Sequence, residues 1–343
     1  MSEKLSFDRR TVLRLGGGLA LAPVLGGCAG DDYEVTLNPK LPIGEFGASS
    51  TAEEVTAGLD LSGKVAMVTG CNSGLGYETM RVLASRGAHV IGSGRTLVKA
   101  ETACRAVTGE TTPVALELSD FQSVVDCAAR VAELGKPIDI LVCNAGINTF
   151  GELELINGIE RIFTVNHLGH FVLVNRLLPL MRLAESTRIV NVGSRSGYTS
   201  APVVGIDFDN LRGEKIFDAG EAYGRSKLAN ALFSNELSRR LTGGSVTSNV
   251  IHPGLVKTNI ARTAPTLLRS AFEMFGGLIA KTPEEGAATQ VYVATAPALE
   301  GVSGAYFEDC NPVRVSGAHH MDDPAMAARL WAVSEEMTSQ FLL

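Results

Sequence analysis

Residues 65–84 join a short apolar run, a glycine-rich turn and an amphipathic stretch without interruption. Val65–Thr69 has the composition of a buried parallel strand, and the apolar residues of Tyr77–Ala84 have helical spacing. Between them, the glycines of Gly70–Gly76 let the backbone approach a ligand closely, because they carry no Cβ. The turn and the start of the helix together predict a cradle for the pyrophosphate of a dinucleotide. Any tight turn from strand to helix favours glycine, so the flanking strand and helix carry this interpretation.

The alternation of strands and helices continues along the chain. Strands and helices in this order predict a parallel sheet that helices cover on both faces. Apolar residues make up 45% of the chain, which is enough to fill a core of this size. The predicted fold class is therefore α/β, a single doubly wound parallel-sheet Rossmann domain over residues 61–343. The further predicted strands are His89–Ser93, Pro113–Glu117, Ile138–Cys143 and Arg188–Val192, and the predicted helices are Phe121–Leu134 and Ile162–Leu183.

Polar residues follow several of these strands. Right-handed crossovers place the carboxyl ends of all the strands at one edge of the sheet. Glu117, Asn144 and Ser194 are therefore expected near the glycine-rich turn, although they are distant from it in sequence. After the second strand comes Gly94-Arg95, where an acidic residue would select NAD and an arginine pairs with a 2′-phosphate. The sequence favours NADP over NAD, with a solvated surface arginine as the alternative.

Tyr223 and Lys227 stand four residues apart in a stretch that is predicted to be helical, so they share one face of it. A free tyrosine has a pKa of about 10, too high for a base at neutral pH. An adjacent ammonium and an oxidised nicotinamide would both lower this pKa, because they stabilise the phenolate. Ser194 follows the strand RIVNV and could hydrogen-bond a substrate oxygen on which charge develops. Taken alone, the Tyr–Lys spacing also fits an exposed amphipathic helix.

A series of motifs runs along the chain in the order TGCNSGLG, CNAG, VNHLGHF, a serine after a strand, YxxxK and HPGLVKT. This order resembles that of the short-chain dehydrogenases/reductases, and the resemblance extends from about Leu61 to Cys310. The longer spacing from Ser194 to Tyr223, filled by IDFDNLRGEK, and the late GVSGAYFEDC resemble the branch of the retinol dehydrogenases and WW-domain oxidoreductases. The resemblance implies an oxidoreductase that interconverts an alcohol and a carbonyl compound by hydride transfer.

The resemblance also implies a role for each catalytic residue. Tyr223 would exchange a proton with the substrate oxygen, and Ser194 would orient that oxygen. Lys227 would lower the pKa of Tyr223 and hold the nicotinamide ribose. Asn166 would hold the water of a proton relay that reaches Lys227. The predicted catalytic residues are thus Asn166, Ser194, Tyr223 and Lys227.

Cofactor contacts are implied in the same way. Asn144 would brace the central strand, and Thr258, after a Pro-Gly turn, would contact the nicotinamide carboxamide. The chain departs from the family twice: Glu117 replaces the usual Asp near the adenine, and Cys143 replaces the first Asn of NNAG. Both departures bear on adenine contacts and leave the chemistry intact. The predicted cofactor-binding residues are Gly70, Asn72, Ser73, Gly74, Leu75, Gly76, Arg95, Glu117, Leu118, Asn144, Ala145, Gly146, Tyr223, Lys227, Pro253, Val256 and Thr258.

Other functions fit the composition less well. A net charge of −7 argues against nucleic-acid binding, which needs a basic surface. The six cysteines form no CxxC pair, so they predict neither a disulfide framework nor a zinc site. His167, His170 and His252 are interpreted as structural, and no metal is predicted. A dinucleotide-binding sensor or scaffold without turnover is the alternative function, although it would not need all four catalytic residues.

The substrate is predicted to be an apolar alcohol, ketone or aldehyde. The apolar stretch Ala261–Lys281 comes after the HPGLVKT motif and is interrupted by Gly276-Gly277. It could be a mobile lid whose apolar residues line the substrate site. It could instead be a contact between copies of the chain, in which case the protein would be a homo-oligomer.

Residues 1–28 resemble an export signal. Arg9-Arg10 resemble the twin-arginine signal, and the apolar run Val12–Leu25 is too short and glycine-rich for a span of roughly 20 residues. Leu25–Cys28 resembles a lipobox, in which Cys28 would be lipidated. The prediction is an exported protein of the periplasm or cell envelope that touches a membrane only through Cys28. A cytoplasmic protein with a non-functional leader is the alternative. Residues 29–60 are predicted to be a linker, as a tether or as a strap on the domain surface.

Overall fold

A mostly parallel β-sheet is the centre of the computed structural model, which describes residues 33–213, 215, 217–256, 280–317 and 319–342. In these residues nine strands form one sheet, and two very short strands form a separate hairpin. The strands are β1 Glu34–Leu37, β2 Val65–Val68, β3 His89–Gly94, β4 Thr111–Ala115, β5 Ile140–Cys143, β6 Leu155–Ile156, β7 Ile159–Glu160, β8 Thr187–Val192, β9 Val246–His252, β10 Tyr306–Glu308 and β11 Asn311–Ser316.

The sheet has the order β1-β11-β10-β9-β8-β5-β2-β3-β4. From β4 to β10 every neighbouring pair is parallel, whereas β11 pairs antiparallel with both β10 and β1. The chain order reverses between β2 and β5, which is the switch point where such sheets bind ligands. The predicted doubly wound Rossmann fold is confirmed.

The helices cover both faces of the sheet. Strand β2 is buried along its whole length, as expected for a parallel strand between two layers. One layer packs on each face, and each has its own hydrophobic core. The helices are α1 Ala52–Val55, α2 Gly74–Ser85, α3 Leu97–Arg105, α4 Phe121–Ala132, α5 Arg161–Phe163, α6 Gly169–Met181, α7 Ser196–Thr199, α8 Ala219–Arg240, α9 Pro283–Thr295 and α10 Pro324–Thr338.

Residues 33–60 are part of the domain, so the prediction of a tether was wrong for them. The alternative prediction, a strap on the domain surface, describes them better, and residues 33–60 are called the strap from here on. Strand β1 extends the sheet by pairing Glu34 with Ser316 and Leu37 with Val313. Helix α1 begins with a capping box at Thr51 and packs against α9 and α2. Strand β1 is too short and too exposed to show a clear alternation, so its pairing could not be predicted from sequence periodicity.

The C-terminal helix α10 packs against the helix that carries Tyr223. Trp331 stacks on Phe233 with ring centroids 5.7 Å apart, and the guanidinium of Arg240 lies 4.2 Å from the centre of the Trp331 ring. These two contacts hold α8 against the C-terminal helix. Within the described part of the chain, no helix is both long enough and apolar enough to cross a membrane.

Candidate active site

The glycine-rich turn lies tightly against the carboxyl end of β2. Gly70 has a φ of +71°, and Gly74, the first residue of α2, has a φ of +56°. A Cβ on Gly76 would lie 2.3 Å from the carbonyl oxygen of Gly70 and 2.5 Å from Nδ2 of Asn144. The N-cap residue Ser73 makes no side-chain cap. Helix α2 therefore begins with N–H groups that are suited to an anion such as a phosphate.

One pocket at this edge of the sheet collects most of the predicted cofactor residues. It lies between the glycine-rich turn and the segments that follow β3, β4 and β5. A Cβ at Gly76 would collide with the turn, and the start of α2 suits a phosphate, so the pocket fits a dinucleotide. The predicted residues that line it are Gly70, Asn72, Ser73, Gly74, Leu75, Gly76, Arg95, Glu117, Leu118, Asn144, Ala145 and Gly146.

Sequence reasoning missed several lining residues. The Ser93 hydroxyl is buried without a hydrogen-bond partner among the described residues, so it is available to a ligand in the pocket. Ser119 donates to Oε1 of Glu117 from its backbone nitrogen (3.1 Å) and its hydroxyl (2.8 Å). Ser93 is at a strand end, where the topology could have found it, whereas Arg161 begins α5 and has no local signal. The lining residues that the predicted set does not include are Ser93, Gly94, Leu116, Ser119, Ile147, Arg161 and Val165.

A buried hydrogen-bond network joins the turn to the central strand. The Thr69 hydroxyl accepts from the backbone nitrogens of Asn144 and Ala145, each at 2.9 Å, and Asn144 Nδ2 donates to the Thr69 carbonyl at 2.8 Å. His170 Nδ1 lies 3.3 Å from the Asn166 carbonyl, so this nitrogen carries the proton. His170 Nε2 then accepts from the Thr69 hydroxyl at 3.0 Å. Asn144 braces the strand, and His170 connects the turn to the segment that carries Asn166.

Tyr223 and Lys227 lie on α8, which begins with an Asp218 N-cap. The Lys227 ammonium is 5.6 Å from the centre of the Tyr223 ring and donates to the Val192 carbonyl at 2.9 Å. That carbonyl is at the end of β8, two residues before Ser194. The Ser194 hydroxyl is close enough to the Tyr223 phenol to lower its pKa. The sheet end and the helix therefore bring Ser194, Tyr223 and Lys227 together.

Burial shifts the pKa values of both Tyr223 and Lys227. Burial raises the pKa of Tyr223 to about 12, and the hydrogen bond with Ser194 opposes this rise. Burial lowers the pKa of Lys227 to about 8. The phenolate therefore needs further positive charge to form near neutral pH.

Asn166 connects the catalytic helix to the pocket. It lies in a π-helical stretch, Thr164–Leu168, between α5 and α6. Its Oδ1 accepts from the Ile147 nitrogen at 2.8 Å, and its Nδ2 donates to the Ile147 carbonyl at 2.9 Å and to the Ser226 hydroxyl at 3.0 Å. A Cβ on Gly146 would lie 3.3 Å from Asn166 Oδ1 and 3.6 Å from Lys227 Nζ. Because Gly146 lines the pocket, Asn166 and Lys227 lie directly behind its wall.

Residues after β9 approach the cradle from another side. A Cβ on Gly286 of α9 would meet the side chains of Leu75 and Val256, at 2.6 and 2.7 Å, so these two side chains lie together. Pro253 comes directly after β9 and does not line the pocket described above. The predicted contact of Thr258 and the proposed lid, apart from its last residues, lie outside the described residues.

The three histidines singled out above are buried or nearly buried. Burial lowers the pKa of His167 to about 3, and that of His170 and of His252 to about 4. His167 Nε2 lies 2.8 Å from the Ser334 hydroxyl of α10. The described residues contain no group of three or more His, Cys, Asp or Glu side chains that could hold a metal ion.

These histidines predict that acid destabilises the fold. Their pKa values fall from 6.5 to about 3 or 4 on folding, so the unfolded chain binds more protons below pH 6.5. The contribution of the neutral histidines to the free energy of unfolding is therefore fully present above pH 6.5. It decreases as the pH falls towards their folded-state pKa values, by about 1.4 kcal/mol per pH unit for each histidine. Denaturant titrations at several pH values measure this slope. His167→Gln, which can keep the Ser334 contact but does not titrate, is expected to make it shallower, and equal slopes would contradict the prediction.

The chain is similar to known proteins over most of its length. The family model for the short chain dehydrogenases matches residues 64–206. Retinol dehydrogenase 11 of Mus musculus is 40% identical over 284 residues, which cover 81% of this chain and 87% of that protein. The WW domain-containing oxidoreductase of Gallus gallus is 38% identical over 312 residues, covering 87% of this chain and 73% of that protein.

A solved structure extends the comparison to the fold. It is named for an NAD(P)-dependent gluconate 5-dehydrogenase from Beutenbergia cavernae with bound NADP, is 27% identical and has a TM-score of 0.58. It covers 73% of this chain and 96% of its own. A Rossmann sheet with a dinucleotide pocket beside a Ser, Tyr and Lys set defines an NAD(P)-dependent oxidoreductase. The chain belongs to the short-chain dehydrogenase/reductase family.

Proposed function

We propose that the protein is an NADP(H)-dependent oxidoreductase that interconverts an apolar alcohol and its ketone or aldehyde. One observation carries this proposal: Lys227 Nζ lies 3.6 Å from the Cβ position of Gly146, a residue of the dinucleotide pocket. The lysine therefore lies between the pocket wall and the Tyr223 ring, whose centre is 5.6 Å from Nζ. A pure dinucleotide sensor has no use for this arrangement, which supports turnover over the alternative function.

Each residue of the set has a distinct task in the proposed reaction. Bound nicotinamide supplies the hydride or accepts it, and in its oxidised form adds positive charge. Tyr223 holds the proton that is exchanged with the substrate oxygen. Ser194 donates a hydrogen bond to that oxygen as negative charge develops. Lys227 adds positive charge near the phenol, and the hydrogen bond that it donates to the Val192 carbonyl holds the ammonium in place. Asn166 ties α8 to the pocket wall through Ser226 and Ile147.

A panel of alcohols, ketones and aldehydes, offered with NADP(H) and with NAD(H), tests the proposal. Oxidation or reduction of the nicotinamide is followed by its absorbance. Turnover of at least one apolar pair is the expected result. If the protein binds the dinucleotide but turns over nothing in the panel, the sensor function replaces the proposal.

The proposed preference for NADP depends on Arg95. Its side chain is exposed at the pocket after β3, where Gly94 stands in place of an acid. Arg95→Ala is expected to weaken NADP binding by roughly 1.5–3 kcal/mol, because a charge-assisted bond is lost, and to leave NAD binding unchanged. That loss is about one to two decades in Kd. Dissociation constants measured by nicotinamide fluorescence decide the matter, with the exposed Arg105→Ala of α3 as the control. Equal affinity of the unmodified protein for both cofactors would contradict the preference.

The proposed substrate class depends on exposed apolar side chains. Phe150, Val203 and Leu255 are exposed in the segments that follow β5, β8 and β9, with Val203 96% exposed. These segments leave the same edge of the sheet as Ser194, so they can border a substrate there. The name of the mouse relative refers to retinol, an apolar alcohol, and supports the same class.

We further propose that the protein is exported in folded form and anchored through Cys28. Arg9, Arg10 and Cys28 lie outside the described residues, so this proposal depends on the sequence alone. The twin-arginine route carries folded proteins, which would let the chain bind its cofactor before it crosses. Lipoprotein modification adds several acyl chains, and stable anchoring needs more than one.

Variants of the signal test the location. Cys28→Ser is expected to release the protein from the membrane fraction, and replacement of Arg9-Arg10 by Lys-Lys is expected to keep it in the cytoplasm. The intact mass of the protein from its own host is the direct measurement. An unprocessed chain without acyl mass would rule out export.

A further inference from the structure

The last residue of β10, Glu308, is the centre of a buried polar cluster beside the site. Only 3% of its side chain is exposed, yet both carboxylate oxygens are fully used. Oε2 accepts from Nε and Nη2 of Arg195, at 2.9 and 2.5 Å. Oε1 accepts from the hydroxyls of Tyr198 and Tyr306, at 3.1 and 2.9 Å. A buried carboxylate is stable only with such partners, so these four hydrogen bonds hold Glu308, Arg195, Tyr198 and Tyr306 in one fixed arrangement.

Two of these partners belong to the turn that begins at Ser194. Arg195 follows Ser194 directly, and Tyr198 lies three residues further on, so both face the same carboxylate. The turn is closed by the Gly197 nitrogen on the Ser194 carbonyl at 3.0 Å. Its Ser196 nitrogen also donates to the Ser194 hydroxyl at 3.2 Å. Glu308 therefore holds both ends of the short helix α7 against the neighbouring strand.

The turn is exposed on one side and packs against α8 on the other, where a Cβ on Gly197 would lie 3.1 Å from the backbone nitrogen of Leu228. Thr199 is exposed, and the exposed Val203 follows it. On the inner side, the Tyr198 ring packs edge to face against Tyr306, at 6.4 Å, and against Tyr33 of the strap, at 5.6 Å. A displacement of the turn would move the Ser194 hydroxyl away from the Tyr223 phenol. Misplacement of a reacting group by about 1 Å can cost on the order of 100-fold in rate.

We propose that Glu308 is a positioning residue that holds the Ser194 hydroxyl in place for the substrate oxygen by clamping Arg195 and Tyr198. The proposal rests on the proposed function of Ser194. Glu308 itself touches neither the pocket nor Tyr223 in the contacts described above. It acts only through the turn, so its loss affects the chemical step and leaves the dinucleotide pocket intact.

Glu308→Gln is the test, and Glu236→Gln is its matched control. The amide keeps the shape of the side chain and an acceptor for the tyrosines, but it loses the ionic bond to Arg195, whose side chain is half-exposed and can be solvated. Glu236 is also largely buried and also accepts from two arginines, but it lies near the far end of α8. Glu308→Gln is expected to lower kcat about 10- to 100-fold without changing the Kd for NADPH. Glu236→Gln is expected to change neither.

Hydrogen exchange of the amides of residues 194–199 gives a readout that needs no turnover. Glu308→Gln is expected to speed exchange there, and Glu236→Gln is not. If the unmodified protein turns over no substrate but Glu308→Gln still speeds exchange in residues 194–199, the structural role of Glu308 is supported and the proposed function fails. Unchanged exchange together with unchanged kcat would overturn the clamp, as would a parallel loss of kcat and of NADPH binding.

A milder variant covers the case in which Glu308→Gln does not fold. Tyr198→Phe removes one of the bonds to Glu308 and keeps the ring that packs on Tyr33 and Tyr306. It is expected to lower kcat several-fold and to speed exchange in the turn, with the Kd for NADPH unchanged. Wild-type kcat and exchange in this variant would overturn the proposal.

Discussion

Replacing Tyr223 with phenylalanine is expected to lower kcat by roughly 10²- to 10⁴-fold, because the proton that is exchanged with the substrate oxygen is lost. The ring remains, so its packing on α8 and its distance from the Lys227 ammonium are preserved. The pocket is lined by other residues, so the Kd for NADPH is expected to stay the same. The measurements are steady-state turnover on a substrate from the panel and the binding of NADPH by fluorescence.

The control for this prediction removes the hydroxyl of another tyrosine, the buried Tyr292. Tyr292 lies on α9, where its ring meets Phe46 of the strap. Tyr292→Phe is expected to keep wild-type turnover, because this hydroxyl takes no part in the site. Wild-type turnover in Tyr223→Phe would show that another group exchanges the proton. A loss of NADPH binding in that variant would show that Tyr223 supports the pocket instead.

The environment of Tyr223 adds a detail that the sequence could not supply. The spacing of Tyr223 and Lys227 predicted that the ammonium lowers the pKa of the phenol. In the structure, burial raises that pKa to about 12 and the opposing group is Ser194, while burial lowers the pKa of Lys227 itself to about 8. Desolvation depends on the whole packed layer, which helix periodicity does not describe.

The sequence predicted the parallel sheet well and also which residues meet at its carboxyl edge, because both follow from local periodicity and a general rule of handedness. Strand β2 and the turn at Gly70 show this clearly. The same rule located Asn144, which directly follows β5, and Ser194, which comes two residues after the end of β8. The boundaries differed by a few residues: β4 begins at Thr111 instead of Pro113, and α4 ends at Ala132 instead of Leu134.

Contacts between distant segments could not be predicted in this way. Arg161 reaches the pocket from the start of α5, and its sequence neighbours show no binding pattern. Glu308 looks like an ordinary strand residue until Arg195 and Tyr198 are seen to share it. Strand β1 finds its partner near the opposite end of the chain, and no short-range signal specifies such a pair. These features depend on packing, so only the three-dimensional structure defines them.

Gly76→Ala is expected to destabilise the fold by about 3 kcal/mol or more, at the upper end of what overpacking costs. In an ordinary helix, Gly→Ala stabilises by about 1 kcal/mol, so propensity alone predicts the opposite sign. The contacts decide between the two effects. The added methyl would lie 2.3 Å from the Gly70 carbonyl oxygen and 2.5 Å from Asn144 Nδ2, and a backbone carbonyl cannot move aside cheaply.

The same clash is expected to weaken dinucleotide binding. To accommodate the methyl, the turn must move away from the Asn144 side chain, which is itself bonded to the Thr69 carbonyl. The N–H groups at the start of α2 then shift relative to the pocket, and a loss of 1.4 kcal/mol or more corresponds to at least a roughly tenfold higher Kd. Urea denaturation and NADPH titration measure the two effects. Gly47→Ala is the control, since its methyl would meet no atom within 4 Å. A Gly76→Ala protein as stable as the Gly47→Ala protein, with unchanged NADPH binding, would mean that the turn is looser than these distances require.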